Sequence, residues 1–345
     1  MVLLLVSVVT AGQFKYEYRK EIPVSGELTL SLENIGGDIT ITGDSVGSVN
    51  LSASKIITAE SVDKAEELNE FVDIDVVRNG TRIEIKSRYL ERQEKSKSIW
   101  DKLFGSKKPD FASVTFTMVI PYNSSIEIEN GKGGISLGRL DGDINLIAGN
   151  SGVGLNDIVG HIIIDAGSGK IEAADIVGDI DLISGAANLQ LENINGAVNI
   201  KSASGDKELM NIDGDIKIEQ GSGLVKLNAV RGYVNIRSGS GNIEMDQISG
   251  HFNLETGSGV IVAKSNLESS ENCLARSSSG MILLKLPEKA SASLDLRTET
   301  GRIDLDFPMQ VETVTSNHVN GVIGKGGPEI SVLSESGNIK VEQIR

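Results

Sequence analysis

Few residues of this chain have types that could do chemistry. His161, His251 and His318 are the only histidines and Cys273 is the only cysteine. A single thiol allows neither an internal disulfide nor a zinc cluster built on thiolates. With no histidine motif beside it, Cys273 reads as a small buried hydrophobe rather than a nucleophile. His161 and His251 occupy the same place in the repeat described below but stand five repeats apart, about 24 Å at strand spacing, which is too far to share a metal. No H-E-x-x-H occurs. Serine is plentiful in Gly-Ser-Gly, but a G-x-S-x-G nucleophile elbow needs a strand-to-helix turn. No glycine-rich loop opens a helix, so a phosphate cradle is excluded.

Carboxylates give two further candidates. Asp143, Asp179 and Asp215 recur in alternate repeats and read as turn residues, with weak cation binding as the alternative. Calcium β-rolls need G-G-x-G-x-D. After Gly-Ser-Gly this chain carries pairs such as Lys170-Ile171 and Asn242-Ile243, without the aspartate. Asp179 and Asp181, two apart on a strand, face one side together, a bare version of the carboxylate pair of a carbohydrate-active β-helix enzyme. No cofactor is implied by any of these patterns.

One stretch has the composition of a contact surface. Residues 88–110, RYLERQEKSKSIWDKLFGSKKPD, carry seven Lys/Arg against four Asp/Glu in a chain of net charge −15. They hold the only tryptophan, Trp100, next to Ile99, Leu103 and Phe104. Trp100, Phe104, Lys107 and Lys108 are the candidate residues for touching a membrane interface or a partner. The alternative is a long hairpin insertion whose rings pack back on the fold.

The elements that position these residues follow from a repeat. Glycines fall at 142, 160, 178, 196, 214, 232 and 250, a step of 18 residues each time. The unit reads roughly G-D-I-x-I-x-x-G-S-G-x-I-x-L-x-x-I-x. Positions 3, 5, 12, 14 and 17 form five apolar columns, broken only by Lys207 and Asn266. The spacing within positions 3–5 and 12–14 is period two, the mark of half-buried strands. Gly-Ser-Gly separates the two strands where the chain turns a corner. One coil cannot bury its own apolar face, but stacked coils can, at about 4.7–4.9 Å per step. The sequence therefore predicts an all-β, single-stranded β-helix, a β-solenoid with 18-residue coils. Its narrow interior suits aliphatic side chains and accounts for an aromatic content of 4%. Position 6 points outward and reads Lys201, Glu219, Arg237 and Glu255, opposite charges stacked one coil apart.

Three domains are expected. Residues 1–11, MVLLLVSVVTA, resemble a signal-peptide h-region with cleavage before Gly12; the basic n-region is missing, as in a truncated start. A buried first strand is the alternative. Residues 12–122 form a small α+β cap, with a short helix at 61–71 that uses Ser61 as N-cap, a hairpin around Asn79-Gly80, and the basic insertion 88–110. Residues 123–345 form the solenoid, with irregular coils at 124–142, 272–287, 292–308 and 329–344 taken in chain order. The acidic balance repels phosphate backbones and excludes nucleic acid as a partner.

The coil motifs, with GGDITITG at 36–43 and GGPEISVLSESGNIKVEQ at 326–343, resemble the bacterial and archaeal "putative adhesin" domains of unknown function. The resemblance covers about 120–345 well and 20–60 moderately. It implies a right-handed β-solenoid exported to the periplasm, cell surface or extracellular space, and it carries no catalytic residues. The expectation is a non-enzymatic adhesion or scaffold module. Its partner would be a surface glycan, a protein or a membrane, with self-association through the solenoid ends also open. The competing expectations are a membrane-proximal envelope-stress or assembly module and a carbohydrate-active enzyme.

Overall fold

The computed structural model describes residues 6–10, 12–90, 111–267 and 270–344. The chain divides into two compact units, Met1–Ala166 and Gly167–Arg345.

In the second unit coil 180–195 is one continuous strand, the coils after it lay down two strands each, and like strands stack in parallel. Val198–Ser202, Ile216–Gln220, Val234–Ser238 and Phe252–Thr256 make one sheet. Lys207–Asp213, Val225–Arg231 and Ile243–Ile248 make the other. Val198 stands opposite Ile216, and Ile216 opposite Val234, so the register advances by one repeat. The inward column Val198, Ile216, Val234 and Phe252 is at most 1% exposed. Burial of this kind contributes roughly 1.5–3 kcal/mol per large aliphatic side chain. This is the predicted β-solenoid.

Three corners close each coil. At the Gly-Ser-Gly corners 239–241 and 257–259 a buried hydroxyl, of Ser238 and of Thr256, caps the turn. Thr256 Oγ1 accepts the Gly259 N–H at 3.2 Å and donates to Gly241 O of the preceding coil at 3.0 Å. At the repeat glycine the backbone is left-handed, and a Cβ on Gly196 would sit 2.2 Å from Gly178 O. The third corner is one the repeat pattern does not announce. Asp175, Asn193, Asn211, Ala229 and Gln247 all hold φ between 54° and 57°. Asn193 Nδ2 donates to Asp175 Oδ1 at 2.9 Å, and Asn211 Nδ2 to Asn193 Oδ1 at 3.0 Å, so amides ladder along this corner.

The coils at the end of this unit do not follow chain order. Cys273–Ser277 pairs with Glu329–Ser334, which in turn pairs with Ala292–Thr298. Likewise Ile282–Pro287 pairs with Ile339–Ile344, which pairs with Ile303–Leu305. Coil 329–344 therefore lies between two coils that are consecutive in sequence. His318–Ile323 then runs antiparallel to Ala292–Thr298, and Met309–Val314 antiparallel to His318–Ile323. Asn266, assigned to an apolar column, is exposed; a register shift puts buried Ser265 opposite Ile248 instead.

The first unit repeats the pattern at its own end. Leu28–Asn34 is parallel both to Ser124–Asn130 and to Arg82–Tyr89. Ile39–Asp44 is parallel both to Ile135–Asp141 and to Ala112–Pro121. Residues 28–44, placed by sequence in the cap, thus form a coil, lodged between coil 82–121 and coil 124–141. The period is hidden there because residues 45–123 intervene before the next coil. Beyond Ala112–Pro121 the pairing turns antiparallel, through Ser48–Thr58 to Gln13–Pro23.

The helix is Val62–Asn69, two residues shorter than expected at its end, with Ser61 Oγ accepting the Lys64 N–H at 3.2 Å. Its Ala65 and Leu68 are buried as it packs on Gln13–Pro23 and Ser48–Thr58. The hairpin Val72–Asn79/Arg82–Tyr89 turns at Gly80-Thr81 rather than Asn79-Gly80, with Gly80 at φ +65°. Val6–Thr10 is a strand antiparallel to Gln13–Tyr16; the rest of the proposed signal segment lies outside the described residues.

Candidate functional site

The outward column at position 6 becomes one wall of a groove. Lys201 stands opposite Glu219, Glu219 opposite Arg237, Arg237 opposite Glu255 and Glu255 opposite Arg276, so five charges alternate over five coils. Four of the five, Glu219, Arg237, Glu255 and Arg276, line the groove together with Ser202, Gln220, Ser238, Gly239, Thr256, Gly257 and Ser278. The groove has a volume of about 650 Å³. The position-6 charges were legible in the sequence. The position-7 column, Ser/Gln/Ser/Thr, is the sequence signal that a polar trough runs alongside, and the apolar pattern alone does not draw attention to it.

The charges in the groove are paired and fixed. Arg237 Nε lies 3.4 Å from Glu255 Oε2, Lys217 Nζ 3.1 Å from Glu219 Oε1, and Arg276 Nη2 3.8 Å from Glu335 Oε1. The hydrogen bond and charge of Lys217, with Lys201 and Arg237 behind it, hold the Glu219 carboxyl below its ordinary range. A general acid for glycoside cleavage needs the opposite, a carboxyl raised by burial. These exposed pairs each contribute only a few tenths to about 1 kcal/mol.

The other candidates separate. Asp179 Oδ1 accepts the Ala197 N–H at 2.8 Å, Asp215 Oδ1 the Tyr233 N–H at 2.8 Å, and Asp143 Oδ1 the His161 N–H at 3.0 Å. Each aspartate ties its coil to the next, and alternation keeps carboxylates from stacking directly on one another. Asp181 Oδ1 accepts from Asn199 Nδ2 at 3.0 Å. His251 stacks on Tyr233, ring centroids 4.3 Å apart. His318 Nε2 and Arg297 Nε both meet Asp295 Oδ1 at 2.9 Å. Cys273 is buried, and burial pushes its thiol up, away from the reactive thiolate. Among the described residues no group of three or more His, Cys, Asp and Glu side chains could hold a metal.

Trp100, Phe104, Lys107 and Lys108 lie outside the described residues. The residues that flank their segment are described. Tyr89 and Phe111 rings meet at 5.2 Å, and Tyr89 OH donates to Ala112 O at 3.0 Å. Among the described residues no helix is long and apolar enough to cross a membrane.

Fold and groove together define a β-solenoid repeat protein. The chain belongs to the Toastrack DUF4097 family, whose model matches residues 67–342. This agrees with the adhesin-like domain of unknown function that the coil motifs resemble. Among solved structures it is similar to a "putative cell adhesion protein" from Clostridium sporogenes, at 11% identity over 95% of this chain and 100% of that chain, TM-score 0.20. A "putative adhesin" from Bacteroides fragilis is 13% identical over 95% and 97%, TM-score 0.25. A "putative lipid binding protein" from Parabacteroides distasonis is 12% identical over 95% and 97%, TM-score 0.29. No curated protein matches the chain.

Proposed function

We propose that this chain is a non-enzymatic, exported adhesion or scaffold module of the cell surface or envelope. The observation that carries this reading is the alternating ladder Lys201, Glu219, Arg237, Glu255, Arg276, held one strand apart by the parallel register. A parallel stack fixes charge spacing more rigidly than loops do. A repeating surface polymer or a protein with matching charges can meet several rungs at once, and such contacts multiply through effective concentration. The test is retention on immobilised anionic, cationic and neutral polysaccharides, comparing the chain with Arg237→Glu/Arg276→Glu. Retention of the chain on at least one charged polysaccharide, lost at high salt and lost in the variant, supports the reading. Equal retention of both proteins on every surface sinks it.

A second reading rests on the neck at Tyr89 and Phe111. It joins the two ends of the basic, tryptophan-bearing segment by a ring contact and a hydrogen bond. On this reading the segment serves as a membrane-proximal contact through Trp100, Phe104, Lys107 and Lys108.

A further inference from the structure

We propose that residues 329–344 are a transferable coil: the slot they fill, between coils 273–287 and 292–305, takes the same segment from a second copy of the chain. This goes beyond the adhesive reading and does not depend on it.

The slot is set apart because its two walls are consecutive in sequence and would also fit each other without the insert. Cys273 and Leu294 both stand opposite Ile330, Ser277 and Thr298 both opposite Ser334, and Ile282 and Ile303 both opposite Ile339. Closing the slot would therefore put Cys273 on Leu294, Ser277 on Thr298 and Ile282 on Ile303, at an offset of 21 residues. The preceding coil already uses that offset, with Asn253 opposite Leu274 and Ile261 opposite Ile282. Coil 292–305 thus has two compatible seats, one on the insert and one directly on coil 273–287. An element with two seats can release what lies between them, and a segment bound between two open strand edges is held by main-chain ladders that any identical segment reproduces.

The insert is tethered by a hinge. Between Ile323 and Glu329 the chain reads Gly-Lys-Gly-Gly-Pro, with Gly324 at φ +60° and Gly326 at φ +78°. Glycines in the left-handed region let the tether redirect the strand without steric cost.

Two hydrogen bonds and one close backbone approach tie the insert to the slot. The Glu329 N–H donates to Asn272 Oδ1 at 3.0 Å, and the Arg302 N–H donates to Asn338 Oδ1 at 3.0 Å. Glycine is required at 337, because a Cβ there would lie 2.0 Å from Gly280 O. A second copy of residues 329–344 meets every one of these conditions.

The experiment uses the unaltered chain. Equal amounts of ¹⁵N-labelled and unlabelled protein are mixed at high concentration in mild urea, returned to native buffer and treated with a short lysine cross-linker. Lys340 of the insert is paired opposite Leu283, two residues from Lys285 on the slot wall. Lys201 and Lys217 lie diagonally on adjacent coils remote from the slot and serve as the control pair. Exchange predicts Lys285–Lys340 cross-links joining heavy to light peptides in a dimer fraction, approaching parity with same-isotope links, while Lys201–Lys217 links stay same-isotope. Same-isotope links only at Lys285–Lys340, or heavy–light links appearing equally at both pairs, would overturn the proposal.

Discussion

Lys207 interrupts a column otherwise filled by Leu189, Val225 and Ile243, yet it is only 1% exposed. Its ammonium is turned into the Ala203-Ser204-Gly205 corner, where Nζ donates to Ser202 Oγ at 2.8 Å, Ser204 O at 2.8 Å and Gly205 O at 2.7 Å. The side chain does for its coil what Thr256 does for a later one. Burial nevertheless dominates, lowering its pKa to about 8 against the opposing pull of Asp206. The unfolded chain keeps the ordinary lysine value, near 10.4. Between these values the unfolded state binds more protons than the folded state, so stability rises with pH across that window. Below about pH 8 the full cost of charging is present. Denaturant unfolding at pH 7.5, 9 and 10 therefore gives the wild type a steeper gain than Lys207→Met. Parallel curves for the two proteins would refute the burial argument. Gly196 makes a separate residue-scale prediction. Its φ is +154°, and Gly178 O stands 2.2 Å from where a Cβ would be, which leaves no room for a side chain. Gly196→Ala should lower the unfolding free energy by at least about 2 kcal/mol, read from the urea midpoint. The columns and the repeat glycines were visible in the sequence because their residue types are nearly uniform. The role of Lys207 was not, because a lysine in an apolar column has no sequence partner that announces a cage of backbone carbonyls.

At the scale of the coil, content was legible and order was not. Every coil carries interchangeable apolar columns, so coil 329–344 fits on coil 273–287 as well as coil 292–305 would. Hydrophobic pattern alone cannot choose between them. The order is seen only in the pairing: Glu329–Ser334 sits between Cys273–Ser277 and Ala292–Thr298, and the hairpin of Met309–Val314 with His318–Ile323 covers the other edge of Ala292–Thr298. Residues 28–44 escaped for a related reason, since their neighbours in space are 82–89 and 112–130 rather than the next residues in the chain. The left-handed corner was hidden by mixed chemistry: Asp175, Asn193 and Asn211 suit that backbone, but Ala229 and Gln247 do not announce it. This gives a stabilising prediction. Asparagine tolerates the left-handed region far better than alanine, and the amide ladder already runs from Asp175 through Asn193 to Asn211. Ala229→Asn extends it by one rung. The expected gain is about 0.5–1 kcal/mol, measured as a higher urea midpoint with an unchanged slope. A lower midpoint would show that the corner at 229 does not share the ladder geometry.

At the scale of the whole chain, the distribution of charge decides which surface can meet an anionic membrane. The net charge is −15, and residues 91–110 hold six Lys/Arg against four Asp/Glu, a local +2. Removing them leaves −15 − 2, or −17. A body of that charge is repelled by anionic lipid, so the segment bearing Trp100, Phe104, Lys107 and Lys108 is the part of the chain whose composition favours contact. Basic residues near such a surface are worth about 1 kcal/mol each and lose that value as salt screens them. The neck formed by Tyr89 and Phe111 lets a short glycine-containing turn replace 91–110 without opening the buried columns. Co-sedimentation with anionic vesicles should therefore show the full chain bound at low salt and released at high salt, with the shortened chain unbound at either. Neutral vesicles separate the two contributions: binding that survives there belongs to the aromatic cluster around Trp100, and binding lost there belongs to the lysines. If the shortened chain binds anionic vesicles as well as the full chain does, the membrane contact lies elsewhere on the solenoid and the second reading fails. If neither binds, the charged groove is left as the surface through which the chain meets its partner, and the polysaccharide comparison becomes the deciding one.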